Sequence, residues 1–111
     1  MKKTKDYIGE FEELVLLAIL KLGADAYGVS ISDALEEADR AVSIGALYTT
    51  LSRLEEKGLI SSRIGEPTIE RGGRAKKFFK VEAAGERALR EAASSRRKLS
   101  PDPRFTFGGA A

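Results

Sequence analysis

Residues 43–58 read SIGALYTTLSRLEEKG, and this stretch decides the fold. Ser43 is a good N-cap, because its hydroxyl can accept a bond from one of the free N–H groups of a helix's first turn. Behind it Ile44, Leu47, Leu51 and Leu54 recur at three- and four-residue spacing, which predicts a helix with those four on its inner side. Lys57 falls in the last turn, where a cation suits the helix dipole, and Gly58 supplies the stop. The other side reads Ser43, Ala46, Thr49, Thr50, Arg53 and Lys57, a small, hydroxylated and basic face.

Two helices precede this one. In residues 10–22, Phe11, Leu14, Val15, Ala18 and Leu22 keep the helical period, and Leu17, Ile19 and Leu20 widen the stripe. A stripe that wide predicts burial on more than one side, by the core and by a partner chain. Gly23 is its expected stop. A second helix is expected from Tyr27 or Gly28 to Ala38.

After Gly58 the period changes. Residues 59–64 and 75–81 read as paired strands, and GEPTIERGGR between them has the proline and paired glycines of a hairpin loop. From Arg63 to Lys80 the hairpin holds six cations (Arg63, Arg71, Arg74, Lys76, Lys77, Lys80) against Glu66 and Glu70. Phe78 and Phe79 are adjacent and must point to opposite faces of a strand, so one of them is core. A fourth helix is expected over residues 83–97, with Ala84, Ala88, Leu89, Ala92 and Ala93 as its less polar side, followed by a proline- and glycine-containing tail.

Helix, helix, helix, two-stranded hairpin, helix is the winged helix-turn-helix plan: mainly α with a small β-hairpin, in the order α-α-α-β-β-α. In that plan the third helix enters a major groove of double-stranded DNA. A small or hydroxylated face lets the backbone approach the duplex, and Arg or Lys on that face reaches phosphates or guanine N7 and O6. The DNA-contacting residues expected from pattern are Ser43, Thr49, Thr50, Arg53 and Lys57 on the third helix, with Arg71, Arg74, Lys76 and Lys77 on the wing. Tyr48, at the edge of the inner stripe, reads equally as a phosphate contact through its hydroxyl or as a structural residue. Charge distribution agrees. Residues 1–58 carry seven Lys/Arg against eleven Asp/Glu, and residues 59–111 carry twelve against six, so the overall charge of +2 conceals a basic second half.

Composition removes other classes. The 111 residues include no cysteine and no histidine, which excludes disulfide scaffolds, thiolate or imidazole metal centres, and catalysis by either residue. No phosphate-binding Gly-Lys-Ser/Thr sequence occurs, and the pairs Glu12-Glu13 and Glu36-Glu37 read as solvated helix faces, so neither an enzyme nor a bound cofactor is expected. The opening MKKTKDYIGEFEE is too charged for a secretory signal peptide, and the run from Leu14 to Leu20 is far short of the roughly 20 residues of a membrane span. A cytoplasmic protein without membrane contact is expected. The rival reading is a winged-helix module for protein–protein contact, which would need an apolar or acidic face between Ser43 and Lys57.

With those residues in place, the sequence closely resembles the PadR family of transcriptional regulators. GEFEELVLLAILKLG looks like the family's first helix, DAYGVSISDALEE its second, SIGALYTTLSRLEEKGLI its recognition helix, ERGGRAKKFFKV its wing and AAGERALREA the opening of its last helix. The resemblance spans about residues 8–92 and implies a homodimer that binds operator DNA and represses transcription. It marks Ser43, Tyr48, Thr49 and Arg53 in the recognition helix and Arg74 and Lys76 in the wing. Glu82 stands where many members have a threonine opening the last helix, which implies a weaker cap. The family's ligands vary, so no small-molecule effector follows from the resemblance. The expected organisation is an N-terminal arm (1–8), a DNA-binding domain (9–82), a dimerisation helix (83–98) and a flexible tail (99–111).

Overall fold

The computed structural model describes residues 7–65 and 76–100. Its elements are α1 (Glu10–Leu22), a short 3-10 turn (Gly23–Asp25), α2 (Gly28–Glu37), α3 (Ile44–Glu56), β1 (Ile60–Ile64), β2 (Lys77–Val81) and α4 (Ala83–Leu99). This is a winged helix-turn-helix fold. Of the expected tail, Leu99 belongs to α4 and Ser100 follows it; residues 101–111 and the hairpin loop, with Arg71 and Arg74, lie outside the described residues.

Each helix is bounded by local chemistry. At α1, the Gly9 N–H donates to Glu12 Oε1 at 2.8 Å, and at α2 the Tyr27 N–H donates to Ser30 Oγ at 2.9 Å. At α3, Ser43 Oγ accepts from the Ala46 N–H at 3.1 Å, as expected of that N-cap. Gly58 leaves α3 at φ 77°, and Asp39 enters the turn between α2 and α3 at φ 61°. Glu82 makes no side-chain cap at α4, and its carboxylate instead accepts from Ser61 Oγ. α4 runs two residues further than its apolar pattern indicates, because its last turn carries Arg96, Arg97 and Lys98 at the negative end of the dipole.

The hairpin is antiparallel, with Ile60 opposite Val81, Ser62 opposite Phe79 and Ile64 opposite Lys77. Tyr27 bridges Phe78, and the Phe79 N–H donates to the Ala26 carbonyl at 2.8 Å, so the segment before α2 lies along the free edge of β2. Strand alternation then sorts the two phenylalanines: Phe79 is buried, while Phe78 is half-buried and meets Tyr27 edge-on at 5.6 Å.

The core lies where α1, α2 and α3 meet the inner face of the hairpin. Leu16 and Ile19 of α1, Ile31 of α2, Leu47 and Leu54 of α3 and Ile60 of β1 are all essentially inaccessible to solvent. Burying side chains of this size contributes about 1.5–3 kcal/mol each relative to leaving them exposed. Three expectations need correction. Ile44, placed by its spacing in the inner stripe of α3, is 52% exposed, because α3 begins to rest on the core only at Leu47. Glu12 and Glu13 are not solvated, since both are buried in ion pairs described below. The apolar surplus of α1 is also smaller than its sequence indicates: Phe11, Leu14 and Leu22 are half-buried against the core, and only Leu17 and Leu20 stand exposed.

Candidate nucleic-acid interface

α2, the turn through Asp39 and α3 form the helix-turn-helix, and the packing of α3 dictates which side chains it presents. Leu47, Thr50, Leu51 and Leu54 face inward. Gly45, Thr49, Ser52 and Arg53 are exposed on the opposite side, with Ser43 and Ala46 exposed at the start of the helix. Among the described residues Arg53 has no ion-pair partner.

This corrects the face read from sequence at two positions. Thr50 is only 6% exposed: it adjoins Leu51 and lies one turn from Leu47 and Leu54, so helical geometry carries it inward with them. Buried there, it cannot reach a duplex without unfolding α3. Ser52 takes its place, a residue that pattern reading passed over. The signal was present, because with Leu47, Leu51 and Leu54 as the inner line, position 52 falls on the outer side.

Lys57 is turned away as well. Its Nζ donates to Glu12 Oε2 at 3.0 Å, with the two side chains 27% and 10% exposed. Burial alone would raise the pKa of Glu12, but the Gly9 N–H and the Lys57 ammonium together outweigh it, with Arg53 adding a further pull, and the carboxyl is held below its ordinary value. Lys57 therefore joins the end of α3 to the start of α1 and is not a free cation.

The neighbouring acids of α1 do the same elsewhere. Glu10 holds Arg40, in the turn between α2 and α3, through two bonds of 3.0 and 3.1 Å, which lower the pKa of Glu10 and raise that of Arg40. Glu13 holds Arg96 of α4 in the same two-pronged way, with one bond at 2.7 Å. The first turn of α1 thus ties together the helix-turn-helix turn, the end of the third helix and the last helix. Bidentate geometry fixes the relative position of those elements more than it adds stability, since exposed pairs such as Glu10–Arg40 are worth little in water.

Tyr48 is 45% exposed, and its hydroxyl reaches across to the start of α2. A Cβ added at Gly28 would stand 1.9 Å from that hydroxyl oxygen, so only glycine at position 28 allows the tyrosine to lie there. On the wing, Lys76 Nζ stands 4.0 Å over the Tyr27 ring and Arg63 lies 4.7 Å over Phe78. Lys77 points the other way, toward α3, where its Nζ is 3.8 Å from Glu55 Oε1. Of the four wing cations expected from sequence, Lys76 lies beside the helix-turn-helix and Lys77 is partly neutralised.

An exposed, hydroxylated helix face carrying Arg53, backed by a leucine stripe and flanked by a hairpin with Lys76, Lys77 and Lys80, is the arrangement of a winged helix-turn-helix protein. Residues 16–91 match the transcriptional regulator PadR-like family, and the chain belongs to it. It is 36% identical over 97 residues to the transcriptional regulator Rv3488 of Mycobacterium tuberculosis, a match covering 86% of this chain and 84% of that relative. Among solved structures it is similar to a PadR-like transcription factor from Bacteroides fragilis, with a TM-score of 0.67 and 32% identity over 80% of this chain and 82% of the other. It is also similar to a PadR family regulator from Eggerthella lenta, with a TM-score of 0.65 and 27% identity over 81% of this chain and 79% of the other. The protein is a transcriptional regulator and not an enzyme. Among the described residues no helix is long and apolar enough to cross a membrane.

Proposed function

We propose that the protein is a sequence-specific repressor that binds operator DNA as a homodimer in the cytoplasm. The observation that carries this reading is the outer side of α3, where Gly45, Thr49, Ser52 and Arg53 stand exposed directly opposite a buried leucine line. Gly45 and the short hydroxylated side chains admit the helix to a major groove, and Arg53 is long enough to reach a guanine edge. Ser43, Tyr48 and Thr49 complete the contact surface of the helix. The wing cations Lys76, Arg71 and Arg74 bind phosphate or line a minor groove, with Lys77 a weaker participant because Glu55 stands beside it. Residues 9–82 are the DNA-binding domain and residues 83–98 the dimerisation helix.

The test is a comparison of two variants on operator DNA and on random duplex. Arg53→Ala should weaken operator binding by roughly 1–3 kcal/mol and flatten the preference for operator. Lys76→Ala should weaken both DNAs about equally and lower the salt slope by roughly one unit. Parallel losses on both DNAs for Arg53→Ala would reduce Arg53 to a phosphate contact.

Dimer formation rests on α1 and α4. Leu17 and Leu20 are 46% and 45% exposed on α1, and a groove of about 470 Å³ between the start of α1 and α4 is mixed in character, with Ile8, Ala88 and Ala92 beside Glu10, Glu91 and Lys98. Leucines left open on α1 beside a groove that α4 helps to line support an interaction surface there. A two-fold pair would also suit a palindromic operator whose half-sites lie about one helical turn apart. Light scattering should give twice the chain mass, and the double substitution Leu17→Glu, Leu20→Glu should return it to that of one chain. A monomeric wild type would remove the dimer from the reading.

A further inference from the structure

Ile44 is the first residue of α3, directly after the cap Ser43, and half of it faces solvent. The core does not use it, since α3 is seated by Leu47, Leu51 and Leu54. Nor does the helix gain from it, because a β-branched side chain in the first turn neither caps nor favours helix formation. Two more large apolar side chains lie nearby on this surface. Tyr48, one turn along α3, is 45% exposed, and Val29, next to the Gly28 that Tyr48 covers, is 53% exposed. Ser43 precedes Ile44 as the exposed cap, Arg53, nine residues on, stands on the far side of α3, and Lys76 lies over Tyr27 at the entry to α2.

An apolar side chain left open at the leading turn of a DNA-binding helix matches an apolar group on the duplex. In the major groove of DNA that group is the 5-methyl of thymine, the one apolar feature among the base edges. The residues at the N-terminal end of a recognition helix are those that reach base edges, whereas the preceding helix crosses the backbone. Val29 belongs to the preceding helix, and Tyr48 is turned onto Gly28. Of these three large side chains, Ile44 alone is on the inserted helix's leading turn and not engaged by the core.

We propose that Ile44 reads the 5-methyl group of a thymine, and that each operator half-site therefore carries a thymine at one defined position. This assignment rests on the DNA-binding reading above. Wild-type protein is first used to select its site from random-sequence duplex DNA, and each thymine of that site is then replaced by uracil, which lacks only the methyl group. One symmetry-related thymine position should weaken binding about fourfold per half-site on replacement, the effect of one buried methyl. Ile44→Ala should weaken the thymine site, lose nothing further on the uracil site, and bind unselected duplex as the wild type does. Ile44→Val should retain most of the thymine preference. A site where no uracil replacement matters, or where the uracil and Ile44→Ala losses simply add, overturns the proposal and leaves DNA binding intact. Failure of the wild type to bind any duplex removes the DNA-binding reading itself, and this proposal with it.

Discussion

Operator affinity should fall at least ~10³-fold as salt rises from ~50 to ~200 mM. Each phosphate neutralised by a Lys or Arg releases condensed counterions, which gives a slope of about −0.9 per contact in log affinity against log salt. Arg53 and Arg63 are exposed and Lys76 stands beside Tyr27, and the sequence joining the two strands adds Arg71 and Arg74. Lys57 and Lys77 contribute less, since Glu12 and Glu55 already partly neutralise them. Three contacts in each of two subunits suffice for the expected loss. Fluorescence anisotropy on labelled operator across a salt series measures the slope directly, and a change of less than about tenfold would argue against phosphate contact by the wing.

The second large effect concerns stability. Leu51→Ala should cost about 2–5 kcal/mol, as large-to-small changes in a packed core do when the surroundings cannot collapse into the space. Leu51 is 1% exposed and lies under α3 between Leu47 and Leu54, both fully buried. Ile44→Ala, at a position with the same apparent spacing, should stay within about 0.5 kcal/mol of the wild type, because water already reaches that side chain. Urea denaturation with unchanged m-values would establish both numbers as differences in native stability. Equal losses at the two positions would mean that Ile44 belongs to the core, which would also withdraw it from the DNA surface.

Period and punctuation made most of the fold legible. The bounds of α1, the cap at Ser43, the stop at Gly58 and the change to a two-residue alternation after it are all properties of neighbouring residues, and the structure reproduces them. The separation of Phe78 from Phe79 follows from strand geometry alone. The exposed side of α3 was legible only in part. Thr49 and Arg53 were readable from the pattern, but Thr50 in place of Ser52 is an error of helical phase. An apolar stripe identifies a buried side without its angular limits, and those depend on how deeply α3 settles between α1, α2 and the hairpin.

Sequence by itself determined the order of elements, the basic wing, the absence of cysteine and histidine, and a family resemblance that the matched residues confirm. Tertiary structure decided which charges are free to act. Glu10, Glu12 and Glu13 sit together in one turn, yet their partners Arg40, Lys57 and Arg96 lie 30, 45 and 83 residues away along the chain. Local periodicity reaches only a few residues. An ion pair across that distance forms only when two helix ends meet, and the crossing of the helices is set by the summed packing of the whole core.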